Sequence, residues 1–274
     1  MKKNLIALCL AMASGSALAW TTGDFNGSID IGGTIEKNEY KGKWFWKSGD
    51  GFDNFENSTN ELRNNGKKLV IQVSEDKPIL LGKTSQAFST PAAGLGAVPN
   101  ITFSDYNGAA VTLQGGTTAG AHYFELPVKT DQADDQIGTL RVNVTAAGVV
   151  AKQGDTAIDL HSLDATQGSE IFYGGLVSGS VLESAAFAAE TTGVFGSLSR
   201  EELVQQIQAV DSSLTAVNEG AKTTETMVST DQKVVSAAYA MGMSAGQTLE
   251  ATFNNAVTTE TKWKAPLNIV VAYQ

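Results

Sequence analysis

The sequence predicts an all-β fold, a sandwich or barrel of short strands that carries a small helical insertion. Three observations lead there. Apolar and polar residues alternate in several short runs, Gly, Asn and Asp separate those runs, and one segment changes from period two to a helical spacing. The composition agrees, because 274 residues with 42% hydrophobic and 18% charged side chains can bury a sizeable core and are not those of a disordered chain. A net charge of −10 argues against a protein that grips a nucleic-acid backbone, which needs a basic face.

Residues 1–19 read as an export leader. Lys2 and Lys3 give the positive start, Leu5 to Met12 the apolar run, and Ala17-Leu18-Ala19 the small-residue cleavage site, so the mature chain is expected to begin at Trp20. The single cysteine, Cys9, leaves with the leader, and bulky Leu8 before it does not fit a lipidation box. An exported chain without disulfides is therefore expected. Beyond the leader, no run of about 18 apolar residues predicts a membrane-spanning helix.

The strands follow in order. Leu69, Ile71 and Val73 alternate with Lys68, Val70 and Gln72, and Leu140, Val142 and Val144 alternate with Arg141, Asn143 and Thr145. Leu249, Ala251 and Phe253 do the same with Thr248, Glu250 and Thr252, while residues 78–81, 101–103 and 123–126 are further candidates. Residues 153–222 break the rhythm. Ser199-Arg200-Glu201-Glu202 is a capping box, and Leu203, Ile207, Val210 and Leu214 recur on one helical face. Residues 181–190 are Ala-rich and weakly helical, so this segment is expected to be an insertion into a loop of the sandwich.

The two ends carry the most informative pattern. Phe25, Gly27, Ile29, Ile31, Gly33 and Ile35 fall on one face at period two, with Asn26, Ser28, Asp30 and Thr34 on the other. Leu267, Ile269, Val271 and Tyr273 alternate likewise, and the sequence stops inside this strand. The expected consequence is a hydrogen-bonding edge and an apolar groove with no following strand to cover them.

These ends and several inner stretches resemble the major subunits of K88 (F4)-type fimbriae, a chaperone–usher family that includes the CS31A-like pili. The stretches are Gly23-Asp24-Phe25-Asn26-Gly27-Ser28 with Asp30-Ile31-Gly32-Gly33, Lys43-Trp44-Phe45-Trp46-Lys47, and Lys77-Pro78-Ile79-Leu80-Leu81-Gly82. Further matches are Ile171-Phe172-Tyr173-Gly174-Gly175-Leu176, Phe195-Gly196-Ser197-Leu198-Ser199-Arg200, Val234-Val235-Ser236-Ala237-Ala238-Tyr239-Ala240 and the last twenty residues. Residues 115–165 depart most from the family.

The resemblance implies an incomplete immunoglobulin-like sandwich lacking its last strand. Residues 20–37 would be the donor extension, 38–274 the pilin domain, and 153–222 an adhesive insertion. Phe25, Gly27, Ile29, Ile31, Gly33 and Ile35 would complete a neighbour's groove, and Leu267, Ile269, Val271 and Tyr273 would form the acceptor and chaperone-docking strand. It also implies identical subunits in a head-to-tail fibre on the cell surface, a periplasmic chaperone, an outer-membrane usher and a host glycan. For that glycan the polar candidates are Asp155, Asp159, His161, Asp164, Gln167 and Glu170.

Other chemistry reads poorly. Gly242-Met243-Ser244-Ala245-Gly246 has the spacing of a hydrolase nucleophile turn, yet a strand pattern follows it and His122 and His161 both precede the serine. With two His and one leader Cys, no metal centre, cofactor or catalytic residue is expected. Trp44 and Trp46 are expected to be buried sandwich aromatics rather than a sugar platform.

Overall fold

A computed structural model describes residues 40–92, 96–131 and 135–274; the leader and all the donor-strand candidates from Phe25 to Ile35 lie outside the described residues. The elements are β1 (Trp44–Ser48), β2 (Lys68–Gln72), β3 (Lys77–Thr84), β4 (Pro99–Ser104), β5 (Ala110–Val111), β6 (Gln114–Gly115), β7 (Ala121–Thr130), β8 (Gln136–Gln153) and β9 (Ile158–Ser162). Then come α1 (Ala185–Phe195), α2 (Arg200–Gln208), β10 (Val217–Glu219), β11 (Val235–Met243), β12 (Thr248–Phe253), β13 (Trp263–Lys264) and β14 (Asn268–Tyr273). The chain is thus all-β with a small helical insertion.

β8 organises the larger sheet. Its 18 residues pair antiparallel with β12 and then β11 along one side, and with β7 and then β9 along the other. β3 continues the sheet from β11 and β1 from β3, while β2 flanks β12. A second, smaller sheet is ordered β14-β4-β5. The alternating runs behave as their period dictates. Leu140, Val142 and Val144 of β8, Phe124, Leu126 and Val128 of β7, and Leu249, Ala251 and Phe253 of β12 all point into one core.

β11 is buried along its whole length, which alternation alone does not explain. One face, with Ala237, Tyr239, Met241 and Met243, joins the core between the sheets. On the other, Ala238 packs in the cluster beneath the helices with Ala147, Val149 and Ala151 of β8. Small side chains on that face let α1 come close through Ala185, Ala188 and Ala189. A polar clasp then fixes α2: Gln206 accepts from the Thr84 hydroxyl (2.8 Å) and the Ser236 hydroxyl (2.9 Å), and donates to the Thr84 carbonyl at 2.8 Å. Thr84 and Ser236 are fully buried, so without Gln206 these hydroxyls lose their partner from the helix.

The capping box predicted for α2 forms as expected, with Ser199 and Glu202 bonding reciprocally. Its apolar face is shorter than the spacing suggested. Leu203 and Ile207 are buried, but the helix ends at Gln208 and Val210 is 56% exposed. Asp211 accepts from the backbone and hydroxyl of Ser213, and this local turn competes with further helix. Leu214 still reaches the core, through the turn rather than along the helix. The Ala-rich helix also begins later than residue 181, at the Ser184 cap, and stops where Gly196 adopts a left-handed φ of 94°.

His122 on β7 is buried between Val144 and Gly115 of the adjoining strands. Its Nδ1 lies 2.9 Å from the Gly120 carbonyl, and its Nε2 has no hydrogen-bond partner among the described residues. Burial pushes its pKa below the ordinary 6.5, against a smaller raising effect from the Gly120 carbonyl. The unfolded chain therefore binds the extra proton first, and stability present above pH about 6.5 is lost as the pH falls toward the folded pKa, with a slope of up to ~1.4 kcal/mol per pH unit. Thermal unfolding between pH 7.5 and 4.5 should show this acid-side loss, and His122→Asn should flatten it. An unchanged slope in the variant would contradict the assignment.

Candidate functional site

β14 is built from alternation. Ile269, Val271 and Tyr273 are half-buried against the main core, joined by Leu267 just before the strand, while Asn268, Val270 and Ala272 face outward. Its backbone ladder runs antiparallel to β4, from Asn268 opposite Ser104 to Tyr273 opposite Pro99. No other strand pairs with β14 among the described residues. The far edge of an apolar strand is thus left as a row of backbone donors and acceptors, the condition under which another segment can add to a sheet.

The end of this strand is held firmly. Gln274 exchanges backbone bonds with Val98, and its carbonyl also accepts from the Gly96 N–H at 2.9 Å. Tyr273 turns inward, where its hydroxyl accepts from Trp46 Nε1 at 2.8 Å. Burial raises the Tyr273 pKa, and the Trp46 bond offsets part of that rise. The bond joins the last strand of the small sheet to β1, which pairs only with β3 among the described residues.

Beneath it lies an aromatic cluster. Trp44 meets the Phe172 ring edge-on at 5.5 Å, and Phe172 lies 5.2 Å from Tyr239. Trp44 also donates to the Ala97 carbonyl at 3.0 Å, and the Tyr239 hydroxyl donates to the Gly175 carbonyl at 2.8 Å. Gly82 on β3 makes room, since a Cβ there would lie 2.3 Å from the Trp46 ring. Trp44 is buried and Trp46 half-buried, so both are sandwich aromatics. Trp46 as the partner of Tyr273 was not anticipated from the sequence, although its alternation with Phe45 already placed it on the inner face.

The six polar candidates divide into two groups. Asp159 and His161 share the outer face of β9, where Asp159 accepts from Asn218 Nδ2 at 3.1 Å and His161 Nδ1 lies 2.7 Å from the Ala221 carbonyl. Asp155, just before this strand, is exposed and accepts from Lys233 at 2.6 Å. Asp164, Gln167 and Glu170 lie in the following loop. Asp164 is 8% exposed and accepts from the Ala165 N–H and the Ser178 hydroxyl. Glu170 is 5% exposed and takes bonds from the Thr166 and Gln167 backbones and the Thr166 hydroxyl. Burial pushes the Glu170 pKa up, but these bonds outweigh it and hold the carboxyl below its usual value. The Gln167 side chain also donates to Glu170. Ser244, from the hydrolase-like motif, sits in the turn joining β11 to β12 and donates to the Thr145 hydroxyl.

Comparison with known proteins gives a consistent picture. Residues 1–274 match the K88 fimbrial family model, described as "Fimbrial, major and minor subunit". K88 fimbrial proteins AB and AC of Escherichia coli are each 50% identical to this chain, over 285 and 283 residues, with 100% of both chains covered. K88 fimbrial protein AD of the same organism is 48% identical over 285 residues, again covering 100% of each.

The Trp46–Tyr273 bond can be tested on its own. Tyr273→Phe leaves the indole N–H half-buried without its acceptor, and the domain should lose ~1–2 kcal/mol in denaturant unfolding. Unchanged stability would mean that the bond does not hold β14 to β1.

Proposed function

The chain belongs to the K88 family of fimbrial subunits, and from that premise we propose that it is a major structural subunit of a K88-like fimbria that polymerises by donor-strand exchange. The observation that carries the proposal is the edge of β14 that no strand among the described residues pairs, with its half-buried Ile269, Val271 and Tyr273. Donor-strand complementation in pilins is an established mode of strand addition. Here the donor is the period-two face of Phe25, Ile29, Ile31 and Ile35 from a neighbouring copy. Burying each of these side chains stabilises by roughly 1.5–3 kcal/mol, so the four contribute about 6–12 kcal/mol before ordering costs. Gly27 and Gly33 sit where the added backbone passes closely.

A slip by one residue turns the whole apolar face outward, so the pattern also fixes the register. The donor and acceptor surfaces are different patches of one chain, and a contact of this kind propagates into a filament instead of closing. That favours an internal, repeated position in the fibre over a tip position, which needs no donor strand. Before assembly the open edge is an aggregation hazard, so the reading includes a periplasmic chaperone that lends a strand and an outer-membrane usher that exchanges it. The predicted leader at residues 1–19 agrees with that route.

The reading extends to host glycan binding through segment 153–222, with Asp155, Asp159 and His161 as the accessible polar groups. A purely structural subunit is the second reading, favoured by the internal bonds of Asp164 and Glu170, which leave those carboxylates little to offer a ligand.

Deleting residues 25–35 should leave an exported monomer that forms no fibres by electron microscopy, and normal fibres from that deletion would refute donor-strand exchange. In fibres of the full chain, Asp159→Ala with His161→Ala should abolish adherence to host cells while assembly persists; undiminished adherence would favour the purely structural reading.

A further inference from the structure

Six side-chain charges on and around the β1–β3 pair have no partner among the described residues, and all but Lys47, near the end of β1, are sorted by sign. Lys43 lies at the start of β1, and Lys83 lies opposite Phe45 across the pair. Phe45 between them is 57% exposed. Beyond the other end of β1, the carboxylates of Asp50, Asp53 and Glu56 are all exposed. Glu75 and Asp76, just before β3, add two more exposed carboxylates at that end. Lys77 there is already bonded to Glu75 at 3.0 Å, which leaves the end predominantly negative. In a chain of net charge −10, an exposed aromatic flanked by unpaired lysines is not what the average composition produces.

The two ends are also distinct topologically. The start of β1 is where the chain enters the domain: the Tyr40 and Lys41 backbone lies beside Gly96, whose N–H donates to the Gln274 carbonyl. The Ser85 N–H donates to the Lys43 carbonyl at the same end. The last strand therefore finishes at the basic end. At the opposite end the Gly49 N–H donates to the Ile79 carbonyl, and the acidic segment begins. This inference rests on the donor-strand reading above. A donor running antiparallel to β14 starts at the basic end, where β14 finishes, and emerges where β14 begins beside Ser104 and Asp105, the direction in which β1 also runs toward its acidic end. The next subunit must then sit with its own Tyr40 end against that acidic end.

We propose that the Lys43–Phe45–Lys83 patch is a docking surface for the acidic segment 50–56 of a second copy of this chain, forming an electrostatic seam between consecutive subunits. The half-buried Phe52 and Phe55 in that segment supply apolar surface that can meet Phe45. Exposed ion pairs contribute little affinity singly, but complementary clusters set register and speed of encounter and exclude the reversed orientation. Like poles repel, so the seam makes head-to-tail growth the only favoured order. As a contact in water it weakens with salt on the scale of the Debye length.

The test uses fibres assembled from a mixture of unlabelled and 15N-labelled full-length chains, treated with a zero-length carbodiimide. Mass spectrometry then separates cross-links within one copy from those between copies. The proposal predicts mixed-isotope cross-links joining Lys43 or Lys83 to Asp50, Asp53 or Glu56, with yield falling as salt rises. Lys43→Glu with Lys83→Glu should abolish them, as should Asp50→Lys with Asp53→Lys and Glu56→Lys, and combining both sets should restore cross-links in the swapped sense. Wild-type fibres with only same-isotope cross-links at these residues, or with none, overturn the seam whatever the variants do. Absence of fibres from the wild-type chain is a separate result that overturns the donor-strand reading itself.

Discussion

An apolar strand cannot stop at the edge of a sheet without consequence: its outer row of N–H and C=O groups must find partners, and its inward side chains must find cover. Among the described residues, β14 meets this constraint on one side, through β4. Much of the surrounding structure keeps that half-finished strand in place. Gln274 is tied to the 96–98 segment, Tyr273 to Trp46, and Trp46 rests over Gly82 where no larger residue fits. Phe172 packs among these rings with a left-handed φ of 66°, a conformation costly for a bulky residue and sustained by its burial between Trp44 and Tyr239. These contacts fix the end and the inner face of β14 in place.

The other face of the larger sheet solves a different problem. β11 and residues 146–151 of β8 are buried on both faces because α1 and α2 cover the side away from the sandwich core. Alanines at 147, 151, 185, 188, 189 and 238 bring helix and sheet together, and Gln206 supplies the directional bonds that fix where α2 lies. The helical segment is thus bonded into the sheet, so the outer face of β9 is presented on a firm support.

Period-two alternation and a capping box leave strong local signals, and the sequence announced β2, β7, β8, β12, β14 and α2 for that reason. The end of α2 was hidden because Val210 keeps the helical spacing while Asp211 and Ser213 build a competing turn. The two-sided burial of β11 was hidden as well, since a run such as Ala237-Ala238-Tyr239-Ala240 has no polar alternation to show which face is which. Among the candidate polar residues, type alone could not separate Asp159 and His161, which face outward, from Asp164 and Glu170, which bond inward to their own loop. The Trp46–Tyr273 bond spans 227 residues of sequence, and no local pattern encodes a contact of that separation.

The central claim, that β14 awaits a strand from another copy, is tested most directly by amide hydrogen exchange along Asn268–Tyr273. The measurement compares the domain lacking residues 20–37 alone and with a peptide spanning residues 25–35. The account predicts that the amides of β14 not bonded to β4 exchange rapidly in the isolated domain and become strongly protected once the peptide is added, while those bonded to β4 are protected in both. Equal protection of the whole strand before and after the peptide would contradict it, because the edge would then already be satisfied from within the chain.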